Sequence, residues 1–212
     1  IFLAHNINNY KKVITRSKEN IEFQNTTYSN VEIEELNKIL NNKNSVKFIN
    51  VARFSPEKGL LRLISAFEKH CENCENSHLI IIGGYGIQFN EIKENVNNSS
   101  FSKRIILIKS IINPLPILKK SDAFVLSSFY EGLPMTIMEA LILNKTVIST
   151  NIEGPREFLE NDLGNLVDNS EEGLLKGMND FYNGKLKKTK KFDAEEFDAK
   201  AIKEFENLLK LQ

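Results

Sequence analysis

The sequence predicts an α/β fold built on a doubly wound parallel sheet, and two observations carry that expectation. From Val46 onward, apolar runs of strand length alternate with amphipathic stretches of helical length, the pattern of a chain that passes repeatedly from a sheet to its covering helices. The apolar runs are continuous rather than alternating, as parallel strands buried on both faces require. Strands are expected at 46–52, 79–83, 105–109, 123–127, 146–149 and 165–167, with helices between them and a last helix reaching Leu211.

Residues 1–45 are rich in Asn and poor in apolar anchors. They read as a connector with one short helix, on which Val31, Leu36, Ile39 and Leu40 share a face. The sheet domain is expected over 46–190, with Leu60, Ile64 and Phe67 forming the inward stripe of its first helix. Residues 191–212 are expected to form a C-terminal helix packed on the domain through Ile202, Phe205, Leu208 and Leu209.

Two loops carry the chemistry. The first strand runs into Arg53-Phe54-Ser55-Pro56-Glu57-Lys58-Gly59, which holds two cations. The fourth opens into Glu131-Gly132-Leu133-Pro134-Met135-Thr136-Ile137-Met138-Glu139, with two carboxylates around a tight turn. Gly132 lets the backbone turn sharply, and Pro134 suits the first helical position, where its missing N–H would have no partner anyway. The amides of Met135 and Thr136 are then free at the positive end of the helix dipole, a place suited to a phosphate or diphosphate. Glu139, one turn further, would accept from neutral hydroxyls such as those of a ribose, because a carboxylate beside phosphate is repelled. Glu131 could accept from sugar hydroxyls on the other side. Doubly wound sheets bind ligands beyond the carboxyl ends of the strands, where strand order reverses, so Arg53, Lys58 and the helix start would converge on one diphosphate. Taken singly, each residue reads as ordinary surface charge; jointly they point to a sugar nucleotide.

Other features narrow the choice. At 212 residues the chain suits one α/β domain with appendages and not two such domains. Its 28 basic and 28 acidic residues cancel, so bulk charge gives no argument for nucleic acid or an anionic membrane. No apolar stretch approaches the roughly 20 residues of a membrane span. The start at Ile1 reads as a fragment whose preceding domain is absent. Cys71 and Cys74 form a lone C-x-x-C near His70 and His78, short of the four well-placed ligands of a structural zinc. With two cysteines only, the chain reads as cytoplasmic and reduced. Gly83, Gly84 and Gly86 follow the second strand, whereas a dinucleotide fingerprint belongs after the first. No D-x-D occurs, so no metal and no other cofactor is expected, and charge neutralisation falls to the protein.

These residues resemble the retaining glycosyltransferases of family 4, whose GT-B fold pairs two Rossmann-like domains. The resemblance runs from about Val46 to Val167 and rests on Val51-Ala52-Arg53-Phe54 with Glu57-Lys58-Gly59, on Asn113-Pro114, on Leu118 to Ala123, and on Glu131 to Ala140. A looser match lies at His5-Asn6-Ile7-Asn8. Gly154-Pro155-Arg156-Glu157 resembles a later loop bordering the same cleft. Lys109, where the family commonly has Gly, and Asn144-Lys145-Thr146, in place of Gly-x-Pro, depart from the pattern.

The resemblance implies the C-terminal, donor-binding half of a GT-B enzyme. It assigns Arg53 and Lys58 to the diphosphate, Glu131 to the donor sugar, Met135 and Thr136 to phosphate, and Glu139 to the ribose. Gly84 and Gly132 to Pro134 line the donor cleft, and Ile111 lies against the base. Arg53, Lys58 and Glu131 would act in catalysis. The donor expected is a nucleotide diphosphate sugar, UDP-linked, transferred to a cell-envelope glycan, teichoic-type polymer or glycolipid whose pocket lies in the absent N-terminal domain. Alone, this half is expected to be inactive. The alternative is a non-catalytic nucleotide-binding or interaction module on the same fold.

Overall fold

The computed structural model describes residues 9–23, 30–109, 111–132, 134–160 and 162–210. Six strands form one sheet: β1 (Val46–Val51), β2 (Ser77–Gly83), β3 (Ile105–Lys109), β4 (Ala123–Leu126), β5 (Thr146–Thr150) and β6 (Asn165–Val167). Their order is β3-β2-β1-β4-β5-β6 and every pairing is parallel. The chain winds outward from β1 to β3, returns to the centre, and winds the other way from β4. The reversal of a doubly wound sheet therefore falls between β1 and β4.

The continuous apolar runs are explained by alternation between two cores. Ile49, Ile80, Ile82, Phe124, Leu126 and Val147 face one layer, while Phe48, Leu79, Ile81, Ala123, Val125 and Ile148 face the other. The first layer is completed by α1 (Asn9–Arg16), α2 (Asn30–Asn41), α5 (Leu115–Lys120), α6 (Met135–Ile142) and α7 (Glu153–Leu159). The second is covered by α3 (Leu60–Cys71), α4 (Phe89–Asn98) and α8 (Glu171–Tyr182).

Several local expectations shift. The stretch before β1 holds two helices rather than one: α1 has few apolar residues, yet its Val13 is buried in the first core. Val31's side chain and residues 1–8 lie outside the described set. Strand β2 begins at Ser77, earlier than expected, because its backbone pairs with the start of β1 at Val46; the Ser77 hydroxyl also meets His70 Nε2 at 2.9 Å. The last helix, α9 (Ala194–Lys210), packs its start through Phe197 against Phe158 and Phe192. The side chains of Phe205, Leu208 and Leu209 lie outside the described residues, as does Leu211. Gly154-Pro155-Arg156-Glu157 forms the opening of α7 rather than a loop. Asn144 takes a left-handed φ of 54° just past Leu143, the residue that caps α6. There Asn144 N–H donates to Leu141 and Lys145 N–H to Ala140, the Schellman pattern that glycine usually serves and asparagine tolerates. The departure from Gly-x-Pro thus keeps the turn.

At the reversal, β1 and β4 pair only at Phe48–Ala123 and Ile49–Phe124. Just beyond, Asn50 spans the opening gap by donating its side-chain amide to the Val125 carbonyl at 2.8 Å.

Candidate functional site

Both loops singled out in the sequence rise from this split. After β1, a 3-10 turn at Pro56–Lys58 ends at Gly59, whose φ is 60°. A Cβ at Gly59 would stand 2.3 Å from the Ser127 carbonyl oxygen and 2.7 Å from Arg62 Nε. Only glycine gives both the left-handed turn and that approach. The loops are stitched together by Ser127 Oγ donating to the Lys58 carbonyl at 2.8 Å and Phe129 N–H donating to the Glu57 carbonyl at 2.8 Å.

Their functional side chains meet. Lys58 Nζ lies 2.5 Å from Glu131 Oε1, with 12% and 14% of the two side chains exposed. The same Glu131 oxygen accepts from Ser128 Oγ at 2.8 Å. The Glu131–Gly132 backbone is pressed against α7, where a Cβ on Gly154 would fall 1.7 Å from the Gly132 carbonyl oxygen. A shallow cleft bounded by Glu131, Gly132, Glu153, Gly154, Glu157 and Phe158 opens alongside.

The other expected residues are spread around this pair. Arg53, half exposed at 51%, donates to Glu57 Oε1 at 3.0 Å rather than joining Lys58. The Ser55 hydroxyl on the same oxygen, helped by Arg53 and Lys58, holds the Glu57 carboxyl below the usual carboxylate range. Pro134 stands one position earlier than expected: its ψ of 109° makes it the extended residue before the helix, with Met135 opening α6. Among the described residues, no acceptor takes the Met135 or Thr136 amide; the first helical bond runs from Ile137 N–H to the Pro134 carbonyl. Glu139, in the second turn of α6, is largely buried, and burial raises its carboxyl above the usual range against the opposing pull of Arg16 on α1. Gly84 is exposed, with open space where a Cβ would lie. Ile111 sits past the end of edge strand β3, in an isolated bridge with Phe23, two strands away from β1. Leu133 lies outside the described residues.

Arg62 was not singled out from sequence. From α3 its Nε and Nη2 both donate to the Ser127 carbonyl, at 2.9 and 2.6 Å, and Nη2 reaches the Ser128 carbonyl at 2.8 Å. It also contacts Asn169, through Nη2 to Oδ1 at 2.7 Å and Nη1 to the carbonyl at 3.3 Å. Its guanidinium lies 3.7 Å from the Phe129 ring centre, and burial lowers its pKa from the ordinary value. The one sequence signal is the glycine three residues earlier that clears its path.

Cys71 and Cys74 are free, buried thiols at the end of α3, and burial pushes Cys71 up to about 12. Arg104 donates to the Cys71, Cys74 and Ser77 carbonyls, so this corner has a packing role. His70 is fully buried between Asn179 and Ser77.

The same fold recurs among solved glycosyltransferases. A glycosyltransferase from Rickettsia africae superimposes with a TM-score of 0.61 at 23% identity, over 74% of this chain and 43% of that one. Anabaena Alr3699/HepE, solved with UDP and glucose, superimposes with a TM-score of 0.61 at 16% identity, over 84% and 53%. The fold is the Rossmann-like one of GT-B glycosyltransferases. Residues 31–197 match the family described as glycosyl transferases group 1, and the chain belongs to that family. Among curated relatives, the uncharacterized glycosyltransferase MJ1059 of Methanocaldococcus jannaschii is 36% identical over 161 residues, 70% of this chain and 39% of that protein. The UDP-Gal:alpha-D-GlcNAc-diphosphoundecaprenol alpha-1,3-galactosyltransferase of Escherichia coli is 35% identical over 141 residues, 65% of this chain and 34% of that protein. The chain thus spans little more than a third of the length of these relatives.

Proposed function

We propose that this chain is the donor-binding half of a retaining GT-B glycosyltransferase that takes a UDP-sugar and, with a second domain carrying the acceptor, extends a cell-envelope glycan, teichoic-type polymer or lipid-linked sugar. The observation that carries the reading is the Lys58–Glu131 pair at the β1/β4 reversal, beside the unclaimed amides that open α6. Lys58, Arg53 and those amides supply positive charge for a diphosphate, and Glu131 and Glu139 supply acceptors for sugar and ribose hydroxyls. As the bond from sugar to diphosphate breaks, negative charge grows on the leaving oxygens, and fixed donors already aimed there lower the barrier. This assignment needs no metal.

UDP as the base-bearing half of the donor is favoured by the E. coli relative, whose name specifies UDP-Gal, and by the HepE structure with UDP and glucose. Two unpaired buried cysteines fit a reducing cytoplasmic setting. Transfer itself needs donor and acceptor held together, a positioning contribution of roughly 7–11 kcal/mol, so this chain alone is expected to bind donor without transferring it.

Titration calorimetry of UDP, GDP and ADP with EDTA present tests the reading. Metal-free UDP binding supports it, and binding that appears only with magnesium or manganese, or not at all, overturns it. Glu131→Ala is expected to weaken UDP-galactose or another bound UDP-sugar more than UDP; equal losses would remove Glu131 from the sugar.

A further inference from the structure

We propose that Arg62 is a positioning residue for the donor sugar: it fixes the backbone of residues 127–129 and thereby the direction in which the next turn presents Glu131. This rests on the donor-site reading above. The geometry gives Arg62 an unusual load for a helix residue. One guanidinium serves the carbonyls of Ser127 and Ser128 and both oxygens of Asn169. Its flat face lies on Phe129, where a cation gains from the ring quadrupole. Asn169 closes the circuit by donating Nδ2 to the Phe129 carbonyl at 3.3 Å.

The carbonyls involved sit where β4 has ended, so no strand partner satisfies them. A loop carbonyl in a buried position must find a donor, and a planar fork with five N–H groups serves several at once where a lysine could serve them only as a point charge. The far side is held independently, by Thr150 Oγ1 donating to the Ser128 carbonyl at 2.8 Å. Ser128 is therefore gripped from α3 and from β5, and it is the Ser128 hydroxyl that holds the Glu131 carboxylate. The path from Arg62 to the carboxylate runs through one residue, Ser128, and two hydrogen bonds. Among the described residues no hydrogen bond or ion pair joins Arg62 to Lys58 or Glu131, so its influence would be on aim and not on charge.

The test compares wild type, Arg62→Lys, Arg62→Met and Asn169→Ala for two ligands, UDP and the UDP-sugar that wild type binds, beginning with UDP-galactose. Arg62→Met is expected to weaken the UDP-sugar by about tenfold, the scale of one or two lost hydrogen bonds, while UDP changes by no more than about twofold. Arg62→Lys and Asn169→Ala should fall between. Hydrogen exchange should quicken at residues 128–132 in Arg62→Met, with the strands unaffected. A purely structural role would lower the melting temperature and leave the ratio of the two affinities unchanged, which would overturn the proposal. If Arg62→Met does not fold, Asn169→Ala carries the same comparison. Wild type that binds UDP but gains nothing from the sugar would overturn the donor-sugar reading and the aiming role together; an intact sugar preference in every variant would overturn the aiming role alone.

Discussion

Replacing Lys58 by Met leaves the Glu131 carboxylate with the Ser128 hydroxyl as its one remaining partner among the described residues. The pair is 12% and 14% exposed, close to the buried limit at which stranding one partner costs about 3–5 kcal/mol. Residual solvent at both side chains screens the stranded charge, and the Ser128 bond persists, so the expected loss for Lys58→Met is about 2 kcal/mol. Glu131→Met should cost less, about 1 kcal/mol, because a lysine's long stem lets its ammonium reach water. Removing both groups leaves no stranded charge, so the double variant should lose less than the sum of the single losses, with a coupling of about 1–2 kcal/mol. Urea denaturation of the four proteins at neutral pH measures the cycle directly. Losses that add to within about 0.5 kcal/mol would refute the argument, since independent sites behave that way; the two side chains would then not share an ion pair in solution.

Three further outcomes follow from the same geometry. Glu139→Gln removes a carboxylate whose charged form burial disfavours, so its folded pKa is raised and the proton held by the folded state stabilises it only at acidic pH. At neutral pH the variant should be at least as stable as wild type by thermal melting, yet bind UDP about tenfold more weakly through loss of a charged acceptor; a destabilised variant with unchanged UDP affinity would contradict both halves. Gly154→Ala places a methyl 1.7 Å from the Gly132 oxygen and should cost about 1–3 kcal/mol by overpacking, with faster hydrogen exchange at residues 131–132; full stability would show that α7 does not bear on that loop. His70 has its folded pKa lowered first by burial, with Arg104 adding to it, so its contribution is complete above the unfolded value of about 6.5 and is lost as pH falls through the folded one. Urea midpoints should drop between pH 7.5 and pH 5.5 in wild type and drop less in His70→Gln; equal drops would place the titrating group elsewhere.

The strands were readable because burial on both faces keeps most of their positions apolar, even though Lys47 and Asn50 interrupt β1. The two site loops were readable because glycine, proline and paired charges mark a turn that must approach something closely. Helix α1 was missed because Val13 alone enters the core from a polar stretch. Lys58 and Glu131 were legible as residues but not as partners: the sequence separates them by 73 positions, and only the adjacency of β1 and β4 brings them together. Arg62 was illegible for a different reason. Its partners are mostly backbone carbonyls, which every residue possesses, so nothing in the identities of Ser127 or Ser128 announces them as acceptors.

The narrow junction between β1 and β4 has a mechanical meaning. Within the sheet itself, two residue pairs and the Asn50 amide join a three-stranded half, β3-β2-β1, to another, β4-β5-β6, while Lys47–Asp122 holds the strand starts and the Lys58–Glu131 and Ser127–Lys58 contacts hold the loops. Such a sheet has a seam, and its halves are candidates to open as separate cooperative units. A ligand gripped at once by the loop after β1 and the loop after β4 lies across that seam like a rivet. Its binding would tie the protection of the two halves together, so that they exchange and unfold as one body.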